Sequence, residues 1–308
     1  MINFRYHVVS ITSVFLALAV GLVLGTAALN GPVASDRNSS VTDLRQTNSR
    51  LRGQVSDLDK QVHGRDGFVE QVAPTLLAGR LTGKTVLVVT LPGAAPEQVQ
   101  GVQSMLRLGG ATLTGTLGFT DAFVDPTRSD DALDLATRLV PPGVTALPAD
   151  NSGVETAGAL FARVFATGRS TVAPASRTTL VAGFTQLGMV QASAQLAPAD
   201  SVVILGGPPL AGRDADRRNG GVATLVGQLA TAFSRDVVAA PTAAGVGNVV
   251  AAVRGNDSLR PSVSTVDTLA SAEGQLAVAL AVAETFAGKT GQYGTGDGAT
   301  TPVPTLAK

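Results

Sequence analysis

The sequence predicts an α/β fold: a mainly parallel sheet with helices on both faces, preceded by one transmembrane helix and a short coiled-coil stalk. Three observations carry this reading. Val8–Leu29 is an apolar run without a charge, residues 36–70 carry apolar side chains in alternating steps of three and four, and from Lys84 short β-branched runs alternate with helical ones. The expected division is a span over 1–30, a stalk over 36–70, an α/β domain over 81–298 and a disordered tail over 299–308.

The apolar run is interrupted only by Ser10, Thr12, Ser13 and Thr26, whose hydroxyls can bond back to helical carbonyls. Its length matches the ~20 residues of a membrane-crossing helix and exceeds the ~7–15 of a signal-peptide core. A retained anchor is therefore expected. Cleavage near Thr26-Ala27-Ala28 and a buried arm of a soluble fold are its rivals. Gly21 and Gly25 form a Gly-x-x-x-Gly pattern that lets helices approach closely. Arg5 and the amino terminus precede the run, which puts them in the cytoplasm and the bulk of the chain outside it.

Past the helix-breaking Gly31-Pro32, Val41, Asn48, Val55 and Val62 occupy a positions, with Leu44, Leu51 and Leu58 at d. β-branched a residues, Leu at d and one buried Asn are the pattern of a parallel two-stranded coiled coil. A homo-oligomer through this stalk is expected, since an anchor upstream raises local concentration and fixes the orientation. The alternative is a solitary helix packed on the following domain. Gly53 weakens the helix by about 1 kcal/mol.

In the domain, KTVLVVTLPGA reads as a buried strand, EQVQGVQSMLRLGGA as a helix with a Gly-Gly stop, and ATLTGTLGF as a strand. Helices are expected over 130–140, 154–166 and 178–191, with 141–153 a surface loop or subdomain boundary. SVVILGG is a second buried strand. GVATLVGQLATAF, DVVAAP, VGNVVAAVRG, SVSTVDT and GQLAVALAVAETFAG continue as helix, strand, helix, strand and helix.

Chemistry-bearing motifs are thin, and no enzyme is expected. The chain has no cysteine, which removes disulfides and thiolate chemistry. Its formal net charge of zero gives no reason to expect nucleic acid as a partner. The two histidines, His7 and His63, lie in the span's flank and the stalk, which excludes a Ser-His-Asp triad in the domain. LPGAAPEQVQG and LGGPPLAG lack the dinucleotide fingerprint, and no phosphate-loop motif occurs. YGTGDG follows a helix, so it reads as a tight turn in which Tyr293 docks. Asp130, Asp131 and Asp134 suit a helix N-terminus. Asp214 and Asp216 sit beside Arg213, Arg217 and Arg218, which reads as local charge pairing. Beyond Met1 only Met105 and Met189 offer thioethers, which argues against a dedicated soft-metal site. A ligand site, if the domain has one, belongs at the carboxyl ends of the strands, lined by the loops after Thr90, Gly206 and Thr265.

YHVVSITSVFLALAVGLVLGTA, the heptads, GKTVLVVTLPGA and STVDTLASAEGQLAVALAVAETFAGKTGQYGTGDGA together resemble the actinobacterial copper-transport outer-membrane protein family, in order and over nearly the whole chain. The resemblance implies an envelope protein contributing to copper homeostasis, with copper as a transported ion, no cofactor, and a channel formed by an oligomer. It supplies no catalytic, binding or metal-ligating residues. Asp267, Tyr293 and Gly294 of the terminal motif are the positions it singles out for testing. The residues themselves do not read as an outer-membrane barrel, which needs amphipathic strands of roughly 10 residues and aromatic girdles. The chain has two tyrosines, no tryptophan and buried-type strands. The competing reading is a structural or interaction scaffold with envelope proteins as partners.

Overall fold

The computed structural model describes residues 4–29, 32–148, 152–168 and 171–305, with side chains placed at 4–27 and, within these ranges, from 43 onward. The chain divides into two compact units, 1–64 and 65–308.

In the first unit, α1 (Phe4–Leu29) is a continuous helix. The stretch Phe4–Ala27, 24 residues, is long and apolar enough to cross a bilayer. Thr12 and Ser13 donate to the carbonyls of Val8 and Val9 at 2.8 Å, so their polar atoms are satisfied within the helix. α2 runs Pro32–Leu77, with proline at its first position, where the absent N–H costs nothing. Leu44, Leu51, Val55, Leu58 and Val62 are each at least half exposed.

The second unit begins at Arg65, earlier than the expected 81. Within it, Val69, Ala73, Leu77 and Leu81 are buried in the core, so the end of the segment expected as stalk belongs to the α/β unit. Its strands are β1 (Thr85–Thr90), β2 (Thr112–Phe119), β3 (Val190–Ala192), β4 (Ser201–Leu205), β5 (Asp236–Ala239), β6 (Val263–Val266) and β7 (Gln292–Tyr293). They form one sheet in the order β3-β2-β1-β4-β5-β6-β7, parallel throughout except for β3, which runs antiparallel to β2.

Helices α3 (Pro96–Leu108) and α9 (Ala272–Phe286) cover one face with the end of α2. α4 (Ser129–Arg138), α5 (Gly153–Phe165), α6 (Pro174–Gln186), α7 (Ala215–Ala232) and α8 (Val249–Arg254) cover the other. The period of two explains the split: Val86, Val88, Val203 and Leu205 point to the first layer, and Leu87, Val89, Val202 and Ile204 to the second. The Asp130 and Asp131 carboxylates occupy the first turn of α4, where the helix dipole favours them. Asp66 accepts from the Ala272 backbone N–H at 3.2 Å, capping α9 from the end of α2.

Three further expectations are corrected. The helix expected over 178–191 is α6, which starts earlier on Pro174 and stops before Gly188 at φ +67°, leaving Val190–Ala192 to pair as β3. α7 begins at Ala215 and not at Gly221, because its first turns are polar and break no periodicity that a sequence could reveal. The tail expected to be disordered is held as far as it is described: Thr300 donates its backbone N–H to the Gln292 carbonyl at 2.7 Å, and Pro304 is buried. Residues 306–308 lie outside the described residues.

Candidate functional site

In an open parallel sheet, ligands bind where the chain order reverses, outside the carboxyl ends of the strands. Here that point lies between β1 and β4, whose chains continue to opposite sides of the sheet. The crevice is closed. A Cβ added to Gly207 after β4 would overlap the Gly93 carbonyl after β1 and lie 2.8 Å from its Cα, so the two loops meet backbone to backbone. Gly93 adopts φ +79°, which turns the β1 loop into this contact. The loops after Thr90 and Gly206, expected to line a cleft, are therefore in contact with each other.

The third loop, after β6, holds a polar cluster. Strand alternation puts Thr265 and Asp267 on one face, the face on which α8 packs. Arg254, the last residue of α8, lies over both. Its Nε donates to Thr265 Oγ1 at 2.8 Å and its Nη1 to Asp267 Oδ2 at 2.6 Å. Nη1 also donates to the Asp297 carbonyl at 2.9 Å, and Nη2 to the Tyr293 carbonyl at 2.7 Å. The ion pair is nearly inaccessible, with side chains 4% and 1% exposed. Asp267 Oδ1 accepts from the Thr295 N–H at 2.9 Å and Oδ2 from the Gly296 N–H at 3.0 Å. Gln292 joins the network through Thr265, whose hydroxyl donates to its Oε1 at 2.6 Å.

The structure thus brings together Asp267, Tyr293 and Gly294, the positions singled out in the terminal motif. Gly294 has φ +126°, and a Cβ there would overlap the Asp267 carboxylate. The motif is a clamp that ties the last described segment to β6 and α8. Both carboxylate oxygens are occupied by donors, so a metal ion would have to displace the arginine. Among the described residues no group of three or more His, Cys, Asp and Glu side chains stands ready to hold a metal.

Sequence reasoning missed Arg254. Its only signal is a cation in the last turn of a short helix followed by glycine, and nothing in the spacing ties it to Asp267. Asp214 pairs with Arg213 and Arg217 as expected, whereas Arg218 reaches across to Asp121.

Tyr293 points its ring away from the clamp, and its hydroxyl donates to Glu284 on α9. Burial, then the bond to Glu284 and its charge, push the phenol well above the ordinary 10.0. The fold thus favours the protonated phenol. That contribution is complete below pH ~10 and is lost as pH rises beyond it through the folded-state pKa. Thermal melts between about pH 8 and 11 should show a fall in the wild type that is shallower in Tyr293→Phe. Parallel curves for the two proteins would show that the pair contributes nothing.

The predicted contact residues lie elsewhere. Nothing stands within 4 Å of a Cβ built at Gly21 or Gly25. Leu44, Asn48, Leu51, Val55, Leu58 and Val62 are exposed along α2, and the side chain of Val41 lies outside the described residues.

Together these features define an α/β protein that, among the described residues, carries one helix of membrane-spanning length and uses a buried ion pair to hold its last described segment to the sheet. The chain belongs to the family described as "Copper transport outer membrane protein, MctB", whose model matches residues 1–304. It is similar to the copper transporter MctB of Mycobacterium tuberculosis and to that of Mycobacterium bovis, each 28% identical over 309 residues covering 97% of this chain and 98% of the relative. The copper transporter MctB of Mycobacterium leprae is 30% identical over 322 residues, again covering 97% and 98%. These relatives are named as transporters and not as enzymes.

Proposed function

We propose that this chain serves copper transport in the cell envelope as a self-associated protein, anchored by α1, with its bulk outside the cytoplasm and the outer membrane as its site. The observation that carries the reading is the family match over residues 1–304. Copper is cargo here and not a resident ion, in keeping with the saturated carboxylate of Asp267. One helix cannot enclose a water-filled path, so a channel requires several copies of α1 brought together, with Gly21 and Gly25 at the contacts. The exposed a and d residues of α2 supply the association, and Asn48 supplies the register.

Two measurements test this. A deletion strain should accumulate more copper and tolerate less of it than the complemented strain; unchanged accumulation and sensitivity would remove the process. Liposomes holding the full chain should pass copper, and a Gly21→Ile, Gly25→Ile variant should pass less. Flux no greater than in empty liposomes would remove the channel.

The stalk has its own test. Leu51→Asp with Leu58→Asp buries two charges in the seam and should weaken self-association by about tenfold or more, while melting of the α/β unit stays unchanged. Equal crosslinking of wild type and variant would sink the seam.

A second reading, an envelope scaffold, is favoured by the closed crevice between β1 and β4 together with the long exposed stripe on α2. Crosslinked membranes should then yield defined protein partners. Recovery of this chain alone would count against it.

A further inference from the structure

We infer that the groove between α6 and the segment following β3 binds a single-chain anionic amphiphile, its carboxylate held by Arg177 and its alkyl chain laid over Val181, Ala182 and Leu196. The cavity measures about 400 Å³, within the range of small-molecule sites. It exists because α6 buries only Leu180 and Phe184, leaving Val181 partly exposed and Ala182 open along the groove. The opposite wall is fixed by a bulge in β2. Gly115, at φ +137°, lets residues 193–196 lie against the strand, and a Cβ there would sit 2.8 Å from Ser193 Oγ and 2.9 Å from Leu196 Cδ1. Ser193 Oγ accepts from the Thr116 N–H at 2.9 Å and donates to the Gln195 carbonyl at 2.7 Å, so the wall is preformed.

Charge chooses the occupant. Arg177 stands in the first turn of α6, where the helix dipole adds to its own attraction for an anion. Its Nη1 donates to the Val172 carbonyl at 2.5 Å, which sets the plane of the guanidinium. Among the described residues no carboxylate pairs with it and none lines the cavity, whereas Arg138, Arg218 and Arg254 each have an acidic partner. The groove pairs this arginine with Val181, Ala182, Ala192, Ala194 and Leu196, alongside Thr178, Thr185, Gln186 and Ser193, which calls for an anion with an apolar body. At about 30 Å³ per water-sized group, the volume admits on the order of a dozen such groups, which suits one alkyl chain and not the two of a phospholipid.

The test uses the full chain in lipid nanodiscs, irradiated with a diazirine analogue of dodecanoate, with labelled peptides mapped by mass spectrometry. Labels are expected within 177–196, suppressed by excess dodecanoate and not by dodecanol. Arg177→Gln should cut that labelling by about tenfold. Ala182→Trp, which fills the groove from an exposed position, should abolish it without shifting the melting of the α/β unit. Labels confined to 4–27, equal labelling of wild type and Arg177→Gln, or equal competition by dodecanol would each overturn the assignment.

Discussion

Replacing Asp267 with alanine is expected to destabilise the α/β unit by about 3–5 kcal/mol, the cost of leaving a buried charge without its partner. The guanidinium of Arg254 is held by four hydrogen bonds, of which only the one to Asp267 neutralises its charge. With the carboxylate gone, the Thr295 and Gly296 N–H groups also lose their acceptor. Arg254→Met alone should cost a similar amount, because the carboxylate is then stranded. The double variant Arg254→Met, Asp267→Leu removes both charges and should recover part of the loss, as apolar replacements of buried ion pairs often do. Denaturant titration of the three variants measures this. If the double variant loses the sum of the two single losses, the residues do not act as a pair. Hydrogen exchange adds a spatial check, since amides of 292–304 should lose protection first.

The central strands were legible because each is a short run of β-branched residues buried on both faces. TVLVVT, SVVIL, DVVA and VSTV carry that pattern whatever surrounds them. β3 and β7 were not legible. They are three and two residues long, and pairing with β2 and β6 makes them strands. The start of α7 was hidden for a related reason, since Ala215–Gly221 buries only the polar Asn219 and has no apolar stripe to mark its period. In the candidate site, Asp267, Tyr293 and Gly294 came from the resemblance and not from spacing. Arg254 came from neither, because its partners lie on three other segments and only the folded sheet brings them within reach. The closed crevice was equally hidden: Gly93 and Gly207 look like ordinary turn glycines until their backbones are seen to touch.

The second large effect concerns Phe161, whose replacement by alanine is expected to cost about 3–5 kcal/mol. Aromatics are only 4% of the chain, yet Phe119, Phe123, Phe161, Phe165 and Phe184 form one buried cluster. Phe161 is fully buried, with ring centroids 5.5 Å from Phe119, 6.5 Å from Phe123, 6.3 Å from Phe165 and 5.1 Å from Phe184. These rings come from the end of β2, the turn after it, α5 and α6. They join the sheet to the helices inserted between β2 and β3, a region with no other aromatic contact among the described residues. The loss therefore combines the transfer of a large side chain with a cavity that four rigid rings cannot collapse to fill. Phe161→Leu keeps most of the volume and should cost distinctly less. The midpoint of denaturant unfolding should fall for Phe161→Ala with an unchanged slope if the α/β unit still unfolds as one. A reduced slope, with early loss of protection in α4–α6, would mean that these helices detach before the sheet opens. A shift below about 1 kcal/mol would show that the cluster relaxes freely and does not hold the insertion to the sheet.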